Sequence, residues 1–132
     1  MSIENDVKAA AANVVAAFGS HNRSEYFSSF AQSATFMFHN APALLANRAE
    51  YEAEWTAWES EGFKVLGCQS TMGRVDILSD VTAVFTHTVR TQLADGDGQI
   101  ETGERETIVF QLIDGKWLGI HEHLSVDPNY QT

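Results

Sequence analysis

Residues 114–125 read Asp-Gly-Lys-Trp-Leu-Gly-Ile-His-Glu-His-Leu-Ser, a turn followed by a β-prone run. An Asp-Gly pair between two β-prone runs is a strong hairpin signal, because the favoured turn needs left-handed backbone at both positions. The runs on either side, residues 101–114 and 116–126, are therefore predicted to pair as antiparallel neighbours. The chain is thus expected to end in a β-hairpin.

Two further β-prone runs precede this hairpin, at residues 63–76 and 81–93. They are joined to each other by residues 77–80, and to the hairpin through Asp95-Gly96-Asp97-Gly98. Short connections of this kind join antiparallel strands. Because strands of this length twist and coil, the sequence predicts a strongly curved antiparallel sheet rather than a flat one.

The N-terminal part of the chain predicts helices. Apolar residues recur at three- and four-residue spacing across residues 3–18, and Gly19 follows where a C-terminal cap would lie. The tetrads at residues 22–25 and 47–50 both begin with Asn and end with Glu, the capping-box pattern that opens a helix. A short aromatic run at residues 34–39 separates the last two helices and predicts a strand.

This order of elements predicts an α+β fold over residues 1–132, taken as a single domain. The helices are expected to pack on one face of the curved sheet and to leave an internal pocket. In the run at residues 101–114 both faces are partly apolar, because Val109 alternates with Ile108 and Phe110. A half-apolar face without a cover predicts a homodimer through the outer face of the sheet.

The charge balance narrows the classes of partner. The chain of 132 residues carries 18 acidic and 8 basic side chains, a formal net charge of −10. This argues against binding to nucleic acid or to an anionic membrane surface, both of which need clustered Lys and Arg. The single cysteine, Cys68, excludes an intrachain disulfide, and the first residues do not resemble a signal peptide. The sequence therefore predicts a cytoplasmic protein.

The last strand carries the most suggestive polar pattern. Strict alternation places four of its side chains on one face: Trp117, His121, His123 and Ser125. Two neighbouring imidazoles suit a metal ion, an acid–base pair or a bound anion. The structural alternative is one hydrogen-bonded core histidine and one histidine at an interface. His121 and His123 are candidate catalytic residues, with His39 or Arg90 as a donor or charge partner. No metal site is predicted, because His-x-His alone supplies too few ligands.

Candidate ligand-binding residues come from the aromatic side chains and one arginine. The set comprises Trp117, Arg90, Trp55, Tyr51 and Phe38. Large rings can line an apolar cavity, although a ring stripe on a helix more often packs in the core. Alternation places Arg90 and His87 on opposite faces of their strand without deciding which face is inward. An inward arginine needs an acidic partner or an anionic ligand, and the next strand offers Glu104 and Glu106.

The element order, together with residues 114–125, resembles the nuclear transport factor 2-like superfamily. The final strand is similar to that of its SnoaL-like and ketosteroid isomerase-like members, and also resembles the association domain of calcium/calmodulin-dependent kinase II. The matching positions are Trp117, His121, His123 and Ser125. The resemblance implies a cystatin-like cone of helices and curved sheet with a pocket, and dimerisation through the outer sheet face.

Two functions follow from this resemblance. One is a cofactor-free isomerase, dehydratase or cyclase that acts by proton transfer on a small hydrophobic molecule with a carboxylate or carbonyl group. The other is a non-catalytic module for ligand binding or assembly. The Tyr and paired Asp residues of the ketosteroid isomerases have no match in this sequence, which argues against steroid isomerisation itself.

Overall fold

The computed structural model describes residues 2–130 and has the predicted α+β order. The helices are α1 (Ile3–Gly19), α2 (Arg23–Ser28) and α3 (Arg48–Ser60), and the strands are β1 (Phe30–Phe38), β2 (Phe63–Ser79), β3 (Thr82–Asp95), β4 (Gln99–Ile113) and β5 (Lys116–Val126). The three helices lie against one side of a single curved five-stranded sheet. Within the described residues, no helix is both long and apolar enough to cross a membrane.

Both predicted capping tetrads open a helix. The Asn22 side chain accepts a hydrogen bond from the Glu25 backbone N–H at 3.3 Å, and Asn47 accepts one from Glu50 at 2.9 Å. The Glu50 carboxylate reaches back to the backbone N–H of Ala46 at 2.9 Å. These contacts satisfy N–H groups that the first turn of a helix leaves without partners.

Gly19 does not have the predicted capping role. It is the last residue of α1, and the left-handed backbone falls at His21, with a φ of 54°. A Cβ at Gly19 would lie 3.1 Å from the backbone nitrogen of Cys68, which is tighter than ordinary contact. The glycine therefore lets the end of α1 approach β2 closely.

The strand order in the sheet is β1-β5-β4-β3-β2. The four long strands pair as antiparallel neighbours, as predicted, and β1 adds a parallel pair with β5 at the edge. Asp114 and Gly115 in the β4–β5 turn have φ values of 50° and 81°. Left-handed backbone at both turn positions is the geometry expected for an Asp-Gly hairpin.

A β-bulge in β5 changes which side chains share a face. Val109 of β4 pairs with His121, but Phe110 pairs with Gly119, so that Ile120 is an extra residue. Such an insertion reverses the alternation on either side of it. Trp117 consequently packs against the core while His121 points outward, and the predicted common face for these two residues is wrong.

The core lies between the helices and the concave face of the sheet. Its largest fully buried side chains are Trp55, Phe30, Phe36, Phe110, Ile108, Val7 and Val65. Aromatic rings from α2, α3 and β1 contact one another edge to face, as in the pair Phe27–Tyr51 at 5.0 Å. Tilted and edge-on ring pairs add to the stability that burial alone provides. This rigid aromatic layer forms one wall of the cavity described next.

Candidate functional site

A cavity of about 100 Å³ lies between the helices and the concave face of the sheet. Apolar and aromatic side chains form most of its wall: Val14, Val15, Phe18, Phe38, Trp55, Trp58, Phe63, Val89, Leu93 and Leu124. Polar groups on the wall include Tyr26, Asn40, Tyr51, Thr91, Thr102, Glu104, Glu106 and Glu122. A mostly apolar cavity with a few convergent polar groups is typical of a small-molecule site.

Three glutamates from adjacent strands meet at this cavity. Glu104 and Glu106 are two residues apart on β4 and so point to the same face, and Glu122 of β5 sits opposite Ile108. Glu104 is 8% exposed and Glu122 is 3% exposed. Buried carboxyl groups are costly unless they are protonated or paired, so each of the three needs a specific partner.

Glu106 and Glu122 are neighbouring carboxyls on the cavity wall whose pKa values are shifted in opposite directions. Burial raises the pKa of Glu122 well above its ordinary value, and the charge of Glu106 raises it further. Burial opposes ionisation of Glu106 too, but hydrogen bonds from Glu122 and from His87 lower its pKa below the ordinary value. Two adjacent buried carboxyls cannot both ionise without a large electrostatic cost, so this pair holds one acid and one carboxylate.

Two tyrosines from the helices, Tyr26 of α2 and Tyr51 of α3, continue the hydrogen-bonded network from the carboxyl pair. The hydroxyls of Tyr26 and Tyr51 are 2.8 Å apart, and the Tyr26 hydroxyl lies 3.5 Å from Glu122 Oε1. Burial raises the pKa of both tyrosines well above the ordinary value, and the nearby Glu122 raises it further. Both hydroxyls therefore stay protonated and remain hydrogen-bond donors.

Glu104 is held separately from this pair. His39 Nε2 donates to Glu104 Oε2 at 2.6 Å, and the Thr102 hydroxyl lies 3.4 Å from Glu104 Oε1. The Glu104 carboxyl therefore has one close partner, His39 at Oε2, and a longer contact at Oε1.

His87 contacts one member of the carboxyl pair, Glu106. Its side chain is fully buried on β3, its Nε2 lies 2.6 Å from Glu106 Oε1, and its Nδ1 lies 2.5 Å from the Ser70 hydroxyl. Ser70 itself is exposed and lines a groove beside α1. Both ring nitrogens of this buried imidazole are thus occupied, as buried polar groups require.

Sequence comparison assigns the chain to a family. A family model described as the SnoaL-like domain matches residues 7–128. This chain belongs to the SnoaL-like domain family. No curated protein matches it.

Solved structures show the same fold at low sequence identity. An association domain of the calcium/calmodulin-dependent protein kinase II type from Xanthomonas campestris is 23% identical, with a TM-score of 0.78 over 94% of this chain and 87% of that one. The hub homology domain of that kinase from Chlamydomonas reinhardtii is 22% identical, with a TM-score of 0.76 over 96% and 99%. A nuclear transport factor 2-like protein of unknown function from Prochlorococcus is 15% identical, with a TM-score of 0.79 over 98% and 97%.

Four of the predicted site residues lie at the cavity of this SnoaL-like domain. Phe38, Tyr51 and Trp55 are part of its wall. His39 reaches it through its hydrogen bond to the cavity-lining Glu104. β1 and the turn after it supply Phe38 and His39, and α3 supplies Tyr51 and Trp55, because the inward faces of β1 and α3 meet above the concave sheet.

The other four predicted residues lie elsewhere. His121 points outward and contacts the Thr35 hydroxyl at 2.7 Å, and His123 lines a depression on the outer face. Trp117 packs against the core without lining the cavity, because of the bulge at Ile120.

Arg90 also lies on the outer face of β3, with His87 on the inner one. Arg90 forms an ion pair with Asp127 at 3.0 Å and stacks over the ring of Tyr130 at 4.8 Å. The expected partners Glu104 and Glu106 point to the opposite face, so the predicted pairing with them is wrong. An ion pair at the sheet surface meets the need of this guanidinium for an acidic neighbour.

The carboxyl cluster was missed as a site in the sequence, although a signal for it existed. Glu104 and Glu106 have the same parity as the core residues Ile108 and Phe110, and Glu122 has the same parity as the apolar Leu124. Acidic residues on the apolar face of a strand indicate buried carboxyls. Among residues 2–130, no three His, Cys, Asp or Glu side chains are arranged to hold a metal ion.

Proposed function

We propose that this SnoaL-like domain is a cofactor-free enzyme of proton transfer, an isomerase, dehydratase or cyclase, acting on a small hydrophobic molecule. One observation carries the proposal: a single apolar cavity brings together Glu122, whose pKa is raised by burial and by the charge of Glu106, and Glu104, which His39 holds at 2.6 Å. Titratable groups whose surroundings give them opposite protonation states can serve as acid and base in one reaction.

The proposed reaction begins at a carbon next to a carbonyl group. Glu104 takes a proton from that carbon, and the electron pair of the broken C–H bond moves onto the carbonyl oxygen. Glu122, with the hydroxyl of Tyr26 or Tyr51, donates hydrogen bonds to this oxygen as negative charge develops there. Return of the proton from Glu104 to another carbon completes an isomerisation. In a dehydration the electron pair returns from the oxygen, the bond to a hydroxyl on the next carbon breaks, and that hydroxyl leaves as water with the proton that Glu104 took up.

His39 has the role of charge partner in this scheme. Its hydrogen bond at 2.6 Å orients Glu104 and leaves the second carboxylate oxygen facing the cavity. The proposal gives the role of base to Glu104 in place of His121 or His123, because those two imidazoles lie on the outer face of the sheet.

The charges of the residues that line the cavity also indicate which polar group a substrate can carry. None of the cavity-lining residues within 2–130 is Lys, Arg or His, whereas three are glutamates. A ligand carboxylate would be repelled by Glu104 and Glu106 and would find no cation to pair with. Of the two polar groups expected on the substrate, the carbonyl therefore fits this cavity and the carboxylate does not.

Exchange of carbon-bound hydrogen in heavy water tests the proposal. We expect the protein to catalyse deuterium uptake next to the carbonyl of β-tetralone, followed by NMR. Glu122→Gln should slow the exchange by about 10²–10³-fold, and Glu104→Gln by about 10²–10⁴-fold. The matched control Ser125→Ala, on the outer face of β5, should exchange at the wild-type rate.

Two results would contradict the proposal. Loss of exchange in the His121→Ala/His123→Ala double variant, with full exchange in Glu104→Gln, would return the role of base to the histidine pair. Binding of β-tetralone without any exchange would support the alternative, a ligand-binding module.

The proposal also covers the oligomeric state, the cellular location and the cofactor requirement of the protein. We propose a homodimer through the outer sheet face, a cytoplasmic location and a reaction without a cofactor. The outer face supports the first of these, because Val84, Val109 and His121 are only half-buried there and Met72 is 83% exposed. Half-exposed mixed surfaces of this kind are common at two-fold interfaces.

A further inference from the structure

The carboxyl pair is asymmetric in its surroundings. Glu106 has a close partner on the side away from Glu122, because His87 Nε2 lies 2.6 Å from its Oε1. Apart from Glu106, the hydrogen-bonding neighbour of the Glu122 carboxyl within residues 2–130 is the Tyr26 hydroxyl, at 3.5 Å. The two carboxyls are chemically identical, so their different protonation must come from these unequal neighbours.

The contact between Ser70 and His87 bears on which ring nitrogen carries hydrogen when the imidazole is neutral. A neutral imidazole has one donor and one acceptor nitrogen. The Ser70 hydroxyl, at 2.5 Å from Nδ1, can donate to that nitrogen, which leaves Nε2 as the donor toward Glu106. Without this hydroxyl the opposite tautomer becomes competitive, and in that tautomer Nε2 accepts a hydrogen bond from a protonated Glu106.

The backbone of β2 is irregular at this point. The β2–β3 register passes from Thr71 opposite Thr88 to Arg74 opposite Thr86. Met72, within this bulge, has a φ of 58°. Bulges re-aim neighbouring side chains, and left-handed backbone at a methionine is costly enough to need a compensating role. Here the bulge lies opposite His87 and directly after Ser70.

We propose that His87, held in one tautomer by Ser70, decides which of the two cavity carboxyls carries the proton. The donor at Nε2 keeps Glu106 as the carboxylate, so the proton stays on Glu122, where it faces the cavity. This inference rests on the proposed function, since it assigns positioning residues for the acid of that reaction.

Other charged or titratable groups also lie near the pair, and the charge of Glu104 is a further cause that raises the pKa of Glu122. Arg105 and His123 line the depression on the outer face, to which His87 and Glu106 also contribute. Lys8 of α1 shares the groove of Ser70 and is bonded to Glu4 at 2.9 Å. Burial raises the pKa of the Cys68 thiol to about 11, so this group stays neutral.

Carbon-detected NMR of the glutamate side chains tests the proposal on the ligand-free protein. The chemical shift of each Cδ reports the protonation of its own carboxyl across a pH series. In the wild type we expect Glu122 in the acid form and Glu106 in the carboxylate form at neutral pH. His87→Phe should raise the proton affinity of Glu106 at least about tenfold, one pH unit, and draw protonation away from Glu122.

Ser70→Ala provides a second variant that leaves the core untouched. It should move the Glu106 and Glu122 titrations in the same sense although Ser70 lies outside the cavity, whereas the control Ser125→Ala should move neither. Unchanged titration of both glutamates in Ser70→Ala and in a folded His87→Phe would overturn the proposal. If His87→Phe does not fold, Ser70→Ala alone decides.

This measurement separates the two proposals. It needs no substrate, so a correctly placed proton without any turnover would contradict the proposed function and leave the role of His87 intact. Catalysed exchange together with unchanged glutamate titrations in both variants would contradict the role of His87 and support the proposed function.

Discussion

The two faces of β5 shift the pKa values of neighbouring titratable residues in opposite directions. Glu122 points into the core and is 3% exposed, while His121 and His123 on either side point outward. Burial raises the pKa of Glu122, and burial together with the charge of His123 lowers the pKa of His121. Each face thus disfavours the charged form of its residue, the carboxylate inside and the imidazolium outside.

This difference shows that residue type alone is a poor guide to a site. Histidines have pKa values suited to proton transfer without further tuning, but here they lie outside the cavity. Glutamates are poor acids or bases near neutral pH until burial changes their pKa. The cavity provides that burial, so the candidate chemistry belongs to the residues on the inner face.

The largest expected difference between the inner and outer faces of the sheet is in how far a substitution lowers the free energy of unfolding. Ile108 of β4 is fully buried, and Val109 beside it points to the outer face. Ile108→Ala should lower the free energy of unfolding by about 2–5 kcal/mol, because it leaves a cavity in the core. Val109→Ala should cost only about 1 kcal/mol. Equal losses in urea unfolding would show that the two faces are equally packed.

The second contrast is in the pH dependence of stability. The folded-state pKa of Glu122 is raised, so the folded protein binds more protons than the unfolded chain, and this residue makes stability fall as pH rises above about 4.5. The folded-state pKa of His121 is lowered from 6.5, so this residue makes stability fall as pH decreases through that region.

Urea unfolding over a pH series separates these two effects. Glu122→Gln should gain stability relative to the wild type with rising pH, by at most about 1.4 kcal/mol per pH unit. His121→Gln should gain relative to the wild type with falling pH. Parallel pH profiles for the wild type and both variants would mean that neither face shifts these pKa values.

The third contrast has the smallest effect on the fold. Thr107 lies on the outer face opposite His123, and Ala53 lies on the exposed face of α3. Thr107→Asp should convert the proposed dimer of the 14.6 kDa chain to single chains in sedimentation, because the two-fold axis brings like charges together. Ala53→Asp is the matched control and should stay dimeric, and both variants should unfold within about 0.5 kcal/mol of the wild type. A wild-type protein that sediments as single chains would contradict the proposed dimer.

Most of the elements could be predicted, because their signals are local. Asn22 and Asn47 open helices through hydrogen bonds only three residues long, and Asp114-Gly115 closes the hairpin through its own backbone preference. Strand β1 was the least well placed, beginning at Phe30 rather than at residue 34. Its first residue pairs with Gly119, nearly ninety positions away, and no local pattern encodes that contact.

The candidate site could be predicted only in part. The aromatic wall was found through Phe38, Tyr51 and Trp55, because large rings are scarce and usually buried. Trp117 and Arg90 were wrongly predicted to bind the ligand as well. Alternation could show neither the bulge in β5, which moves Trp117, nor which face of β3 is inward, which decides the position of Arg90. A single inserted residue reverses every later side chain in a strand.

The sequence by itself determined the helices, the long strands, the turns between them and the parity of side chains within each regular stretch. These follow from hydrogen bonds and steric preferences within a few residues. Only the tertiary structure decided that Ile120 is an extra residue, that His87 faces inward, and that Glu104, Glu106 and Glu122 meet at one cavity. The physical reason is that burial and pairing of carboxyls depend on contacts between distant segments, which exist only once the sheet has curved around the helices.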